Sequence, residues 1–483
     1  MNQSFDVLRL LQCPFCTDEL TYTNVFRRDR YDRVEYGLLL CAGCHLEYPI
    51  VAGIPILLPP HEKIGSKAET TKLTVLDGAN VSDLIWLLKA KQSLRAFSLL
   101  LNPADLDEDW FFSLEFSDSD AELHSRAIPA GGSARSQSIR RNAKNKLRRF
   151  VLPSVRTRLA RFLTADGESL TAVQAMDLLY RRYSRVENFN YFAYRFGQPR
   201  HLAALSLASL LSESSEPILD LACGVGHLTH FFGFGKPDRP VVGVDRDFVR
   251  LWIARHYMAP DSFFVCVPAD RALPFRNRTF GGVFCSDAFH YFLWKSTSVN
   301  EMQRVVKSNG TIVLARVGNA AIEPREGYEL KVGGYSRLFP EMRSVIVGER
   351  ELVAAYLARR GPDLDDRPRA LESEKWLSLV ASEKNDPFAP GTSFTEWPHA
   401  VGVLRFNPIY TVAKPGHDGD IELRFRFPSD WFRTENTDYL NYAPEAYSVS
   451  PEMALAISRG QRPDSIQDML NRFVVIGVPT RYC

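Results

Sequence analysis

The sequence predicts an α/β chain centred on a parallel, doubly wound sheet, with a small cysteine-held ribbon ahead of it and helical and α+β segments around it. Three observations predict this. Five short apolar runs recur with helix-sized material between them: Ile218–Leu221, Val241–Val244, Phe263–Val267, Val283–Cys285 and Ile312–Ala315. Buried strands alternating with helices are the pattern of βα units in a parallel sheet. The first run leads into Gly224-Val225-Gly226, and two Cys-x-x-Cys pairs lie near the start of the chain.

The totals agree with several compact units. A chain of 483 residues exceeds one ordinary domain. Hydrophobic content of 45%, with 12% aromatics, excludes global disorder. The 59 basic and 57 acidic residues leave +2, which exerts no overall pull towards nucleic acid or anionic membrane. No apolar run has the length of a bilayer span, and MNQSFDVLRLLQ lacks the basic-then-apolar layout of a signal peptide. Membrane insertion is not expected, and a cytoplasmic enzyme is the default expectation. Oligomeric state cannot be read from the chain.

In order, residues 1–60 alternate short β-like runs with turns and form the ribbon. Residues 61–172 read as a helical, charge-segregated insertion. It opens with a helix at Leu84–Leu101 that Ser82 or Asp83 would cap. Eight acidic residues and no basic one lie between Asp105 and Glu122, and ten basic residues and no acidic one between Arg135 and Arg161. Gly131-Gly132-Ser133 between the blocks reads as a linker. Residues 173–320 form the α/β core, entered through a helix around Val173–Tyr180, the aromatic NFNYFAYRF and a second helix around His201–Leu211. Residues 321–483 carry helices at Glu351–Arg359 and Pro451–Ser458 and a strand-like IELRFRF at 421–427. This C-terminal part must complete the sheet and cover an acceptor pocket.

Cys13-Pro-Phe-Cys16 and Cys41-Ala-Gly-Cys44 stand 24 residues apart. Each pair makes a tight knuckle with two thiolates aimed at one tetrahedral centre, and the interval is long enough for a hairpin. Four sulfur ligands leave no open position, so a zinc ion there would be structural. Cys223, Cys266, Cys285 and Cys483 are scattered and read as reduced thiols, three of them within apolar segments. CPFC followed by LLLCAGCHLEYPIVAGIPILLP resembles the small zinc-ribbon protein that activates several tRNA, rRNA and protein methyltransferases as a heterodimer. That resemblance covers about the first 60 residues. It implies a scaffold packed on a methyltransferase, here fused in cis.

PILDLACGVGHLTHFF at 217–232 places Asp220 inside a buried strand ahead of a turn where glycine lets the backbone approach a ligand. A dinucleotide site would need a third glycine, and Thr229 stands there. D-x-x-C-G-x-G, Val244-Asp245, the Asp270-Arg271-Ala272-Leu273-Pro274-Phe275 step, FGGVFCSDAFHYF and EMQRVVKSNGTIVLA together resemble the ordered motifs of Rossmann-like, class I S-adenosylmethionine (SAM)-dependent methyltransferases. The resemblance implies that Asp220 and the Gly224–Gly226 backbone meet the methionine end of SAM. Asp245 would accept from the ribose hydroxyls and Asp270 from the adenine amino group. Ala222, Arg246, Arg271 and Ser286 flank these positions and complete the donor-binding set. Gly281 stands where that family usually has an aspartate.

Methyl transfer needs donor and acceptor held at attack distance and an unprotonated acceptor lone pair. His290 and Asp287, just past the fourth run, are the candidate catalytic bases. Ala288-Phe289-His290 resembles the A-x-H setting of the small-molecule branch. Tyr180, Tyr183, Tyr191 and Tyr194 precede the first motif, where a lid over the donor is common in the family. The resulting reading is methyl transfer to an O or N atom of a small-molecule acceptor: a sugar, lipid-linked compound or secondary metabolite. RNA base methylation and a non-catalytic SAM-binding regulator are the alternatives. The basic block has apolar Leu147, Phe150, Val151, Leu159 and Phe162 at helical spacing, which favours a helix docked on the protein over a phosphate grip. Mixed cellular RNA should therefore bind only non-specifically, with Kd of ~10⁻⁴–10⁻⁶ M by filter binding. Nanomolar affinity at physiological salt, abolished by charge reversal at Arg140, Arg141 and Lys144, would favour RNA instead.

Overall fold

Four antiparallel strands open the fold: β1 (Leu20–Arg28), β2 (Val34–Cys41), β3 (Glu47–Val51) and β4 (Ile54–Pro55), paired in that order. The computed structural model describes residues 7–58, 81–101, 154, 156–165, 167–181, 186–324, 327–389, 391, 393–413, 420–463 and 466–483. The acidic block 105–122 and most of the basic block lie outside the described residues. Of the latter, 156–161 fall in a helical segment at 156–165.

The five apolar runs form β5 (Ile218–Leu221), β6 (Val241–Asp245), β7 (Phe263–Cys266), β8 (Phe280–Ser286) and β9 (Val306–Gly318). β5 pairs in parallel with β6 and β8, β6 with β7, and β8 with β9. Helices cover both faces, which is why these strands read as nearly unbroken apolar runs. The sheet is completed by β10 (Arg343–Gly348) and β11 (Trp376–Ser382), in the order β10-β11-β9-β8-β5-β6-β7. β11 runs antiparallel to both its neighbours. The 421–427 run does not join this sheet. Ile421–Phe425 lies between Tyr410–Val412 and Ala446–Val449 in a separate three-stranded sheet.

Two expectations needed correction. The helix expected at Leu84–Leu101 is two helices, Val81–Lys89 and Ser93–Leu100, so Ser82 and Asp83 lie within the first turn and are not the cap. Lys91, in the left-handed region at φ 56°, ends the first helix. β9 begins six residues before Ile312, because Val306 pairs with Phe280 ahead of an irregularity in the ladder. The turn-like Ser308-Asn309-Gly310 hides that start in the sequence.

The ribbon lies along the β7 edge of the large sheet. Ile56 bridges Cys266 in parallel, and the Leu57 N–H donates to the Cys266 carbonyl at 3.1 Å. Gln12 N–H donates to Pro274 O at 3.0 Å, and Arg276 N–H to Leu10 O at 3.0 Å. An edge strand that would otherwise offer free backbone groups is thereby paired. A half-buried ion pair reinforces the seam: the Arg255 guanidinium lies 3.1 Å from Asp29, which also holds Arg33 at 2.9 Å. Apolar side chains of ribbon and sheet share one core. Among the described residues no helix is long and apolar enough to cross a membrane.

Gly53 closes the β3–β4 turn at φ +76°, and a Cβ there would sit 2.4 Å from Arg255 Nε. Gly53→Ala should lower stability by about 1–3 kcal/mol, read as a drop in Tm, through left-handed strain and displacement of Arg255 from the seam.

Candidate active site

β5 ends in a loop in which every second residue is left-handed: Ala222 at φ 59°, Gly224 at 56° and Gly226 at 86°. Gly226 starts the helix His227–Gly233, where a Cβ would come 3.0 Å from that of Ala254. A Cβ on Gly224 would meet the Phe192 ring at 3.4 Å, so this bare stretch of backbone lies beneath an aromatic side chain. Phe192 comes from the helix Val186–Ala193, stacks on His227 and packs against Tyr180.

Asp220 is buried in β5 and accepts a hydrogen bond from Thr229 Oγ1 at 2.5 Å. Burial pushes its carboxyl up to about 7 against that bond, with Asp245 adding to the rise. Asp245, the last residue of β6, accepts from Gly224 N–H and Asp247 N–H, each at 2.9 Å, tying the glycine loop to the strand tip. Asp247 caps the helix Phe248–Ile253 and pairs with Arg250 at 3.1 Å. Arg246 is half-buried, within electrostatic reach of Asp245 and Asp270. Asp270 is half-buried beyond β7, and Arg271 beside it is exposed.

On the other side of the loop, Ser286 ends β8, and its buried Oγ has no hydrogen-bond partner among the described residues. His290 sits in the short turn Phe289–Tyr291, buried, with no partner on Nδ1 among the described residues. Its ring lies 4.0 Å from Tyr291 and 5.6 Å from Trp376, centroid to centroid. Burial pushes the imidazole down to about 4, so it is neutral at physiological pH.

Asp287 is held differently. Its Oδ2 accepts from Tyr191 Oη at 2.8 Å and Arg195 at 3.0 Å, and its Oδ1 from Arg316 at 2.7 Å. Arg200 lies 3.7 Å from the same carboxylate. Against the upward pull of burial, the guanidiniums of Arg316, Arg195 and Arg200 hold this carboxyl well below the usual range. A carboxylate so stabilised is a weak proton acceptor.

Residues 219–314 match the family model described as a methyltransferase domain. The chain carries a methyltransferase domain. No curated protein matches the sequence. Among solved structures, the YcgJ protein of Bacillus subtilis is 15% identical over 38% of this chain and 99% of its own, with a TM-score of 0.27. One chain of the complex containing the Trm112 methyltransferase activator of Haloferax volcanii is 17% identical, over 38% of this chain and 90% of its own, with a TM-score of 0.29. The phosphoethanolamine N-methyltransferase 2 of Haemonchus contortus is 16% identical, over 35% of this chain and 49% of its own, with a TM-score of 0.26.

The methyltransferase domain brings Asp220, Asp245, Asp270, Ser286, Asp287 and His290 to the ends of adjacent strands, all within the matched span. Phe192, Arg195, Arg200, Arg316 and Trp376 were not anticipated, and all five lie outside that span, the first three before it and the last two after it. The usable signal was charge in apolar surroundings: Arg316 follows IVLA, and Arg195 and Arg200 sit within YFAYRFGQPR.

The ribbon holds a second site. The Sγ atoms of Cys13, Cys16, Cys41 and Cys44 all lie within 4.8 Å of one another. Thr17 and His45, the residues after each pair, are left-handed, and each N–H returns to the first cysteine of its pair: Thr17 to Cys13 O, His45 to Cys41 O. Both knuckles thus have the same turn. Hydrogen bonding from the Asp18 backbone and the Cys41 thiol brings Cys16 down to about 7. Four sulfurs on two matched knuckles fit a tetrahedral thiolate-bound metal, whose edges are about 3.8 Å for a metal–sulfur bond of about 2.3 Å.

Asp220 sets a pH dependence for the methyltransferase domain. Between about pH 4 and 7 the folded protein retains a proton that an unfolded aspartate has released, so this group's contribution to stability falls as pH rises through that window. Above it, a buried anion remains. Asp220→Asn should therefore be more stable than wild type at pH 8 by about 2–4 kcal/mol, with the difference shrinking towards pH 5. Denaturant unfolding of the ligand-free proteins at the two pH values checks this.

Proposed function

We propose that the chain is a SAM-dependent methyltransferase acting on an O or N atom of a small-molecule acceptor, with a structural zinc ion in the ribbon. One observation carries the donor reading. Asp220, Asp245 and Asp270 stand at successive strands around a glycine loop whose backbone is left bare under Phe192. The buried Ser286 Oγ without a partner also fits a ligand-facing position.

When bound, SAM would supply a methyl group on a sulfonium, open to an acceptor lone pair with the carbon–sulfur electron pair returning to sulfur. The chain's part is to bind, orient and deprotonate. Asp245 would accept from the ribose hydroxyls and Asp270 from the adenine amino group, and Asp220 would face the ammonium end of the methionine moiety. His290 is neutral, and its unpartnered Nδ1 takes the proton lost by an acceptor hydroxyl or ammonium. That atom is buried, with the ring packed beside Tyr291 and Trp376. Asp287 is left out of this role because Tyr191, Arg195 and Arg316 already occupy both its oxygens, whereas Nδ1 of His290 has no partner among the described residues.

The test is turnover. Purified protein with about one zinc per chain, given SAM and a fractionated small-metabolite extract, should form S-adenosylhomocysteine and a product heavier by one methyl. His290→Ala should lower kcat by about 10²–10⁴ with SAM affinity nearly intact. Unimpaired turnover in that variant would return His290 to a packing role.

A further inference from the structure

Asp287 and Arg316 share an unusual feature. Both are left-handed non-glycine residues, at φ 56° and 55°, near the ends of the adjacent strands β8 and β9, and their side chains meet. Such strain persists only where the surroundings over-determine it. Here it turns a carboxylate and a guanidinium towards each other beneath the helix Val186–Ala193. That helix and the residues just after it complete the knot: Tyr191 donates to Asp287, Arg195 pairs with it, and both Arg195 and Arg200 lie over the Tyr191 ring, at 4.9 and 5.6 Å. Outer carboxylates steady the periphery, with Glu349 2.8 Å from Arg316 and Glu435 3.5 Å from Arg200.

The residue after Tyr191 is Phe192, which lies over Gly224 and whose carbonyl bonds the His227 ring at 3.0 Å. One short helix therefore grips the acceptor-side strand tips through Tyr191 and roofs the donor loop through Phe192. We propose that Asp287 is a positioning residue: it fastens this roof helix to the strand tips, so that donor affinity depends on a carboxylate that does not touch the donor. The inference rests on the donor reading above. Among the described residues Asp287 is the one carboxylate paired with all three arginines, and a neutral group there leaves the centre of the knot uncompensated, with Glu349 beside Arg316 and Glu435 beside Arg200 at its periphery.

Asp287→Asn and Tyr191→Phe test it. The second keeps the ring and removes only the hydroxyl that reaches Asp287, so it remains informative where the first fails to fold. SAM affinity is measured by calorimetry well below both Tm values, alongside amide exchange. Asp287→Asn should raise the SAM Kd at least tenfold and Tyr191→Phe about three- to tenfold. Exchange should rise in 189–193 and stay at wild-type levels in the ribbon and in β10–β11. A purely structural Asp287 would lower Tm and leave Kd and the 189–193 exchange of the folded protein unchanged, and that result overturns the proposal. Wild-type protein that fails to bind SAM overturns the donor reading and this inference together.

Discussion

The parallel pairing of β5 between β6 and β8 is the constraint on which the rest of the molecule depends. Leu221 stands opposite Val244 on one side and Cys285 on the other, so three strands end level with one another. The next residues, Ala222, Asp245 and Ser286, consequently emerge on a single rim. Parallel strands of this kind are buried on both faces and joined by crossovers, which leaves their carboxyl ends as the open crevice. The two edges of the sheet are closed differently. β7 is met by the ribbon, whose four cysteines draw both knuckles to one point, while β10 and β11 extend the other side.

Along that rim the backbone is repeatedly left-handed: Ala222, Gly224, Gly226, Asp287 and Arg316. At Gly224 the effect is to bare amides, one of which Asp245 holds. At Asp287 and Arg316 the effect is to turn charged side chains inward. Buried charge then divides into two kinds. Asp220 is an anion opposed by burial, with a hydroxyl as its hydrogen-bond partner, and it gains from an arriving cation. Asp287 is an anion already supplied with cations. On the proposed reading, the same side-chain chemistry in two settings about one strand apart would support ligand binding in one case and positioning in the other.

What the sequence made legible was whatever rests on short-range pattern. β5 to β9 announced themselves because each contains a contiguous apolar run; Asp220 interrupts one such run, Asp245 directly follows one, and Asp270 stands three residues after one. The cysteine pairs announced themselves by spacing. β10 and β11 did not, because RSVIVG and WLSLVAS lie in a long C-terminal stretch with other apolar runs, and only their pairing with β9 separates them from IELRFRF. The arginine knot was illegible for a related reason. Its parts come from 191–200, 287 and 316, and no local periodicity links a tyrosine on one helix to an aspartate about a hundred residues later. The break at Lys91 turned on a single backbone angle that a lysine rarely adopts.

The most direct test of the central claim is a crystal structure of the full chain with S-adenosylhomocysteine. The ribose hydroxyls should lie within hydrogen-bond distance of Asp245, with the adenine beside Asp270 and the homocysteine end along Gly224–Gly226 beneath Phe192. Density for the ligand at any other place on the molecule, or ribose hydroxyls that leave Asp245 without contact, would contradict the account.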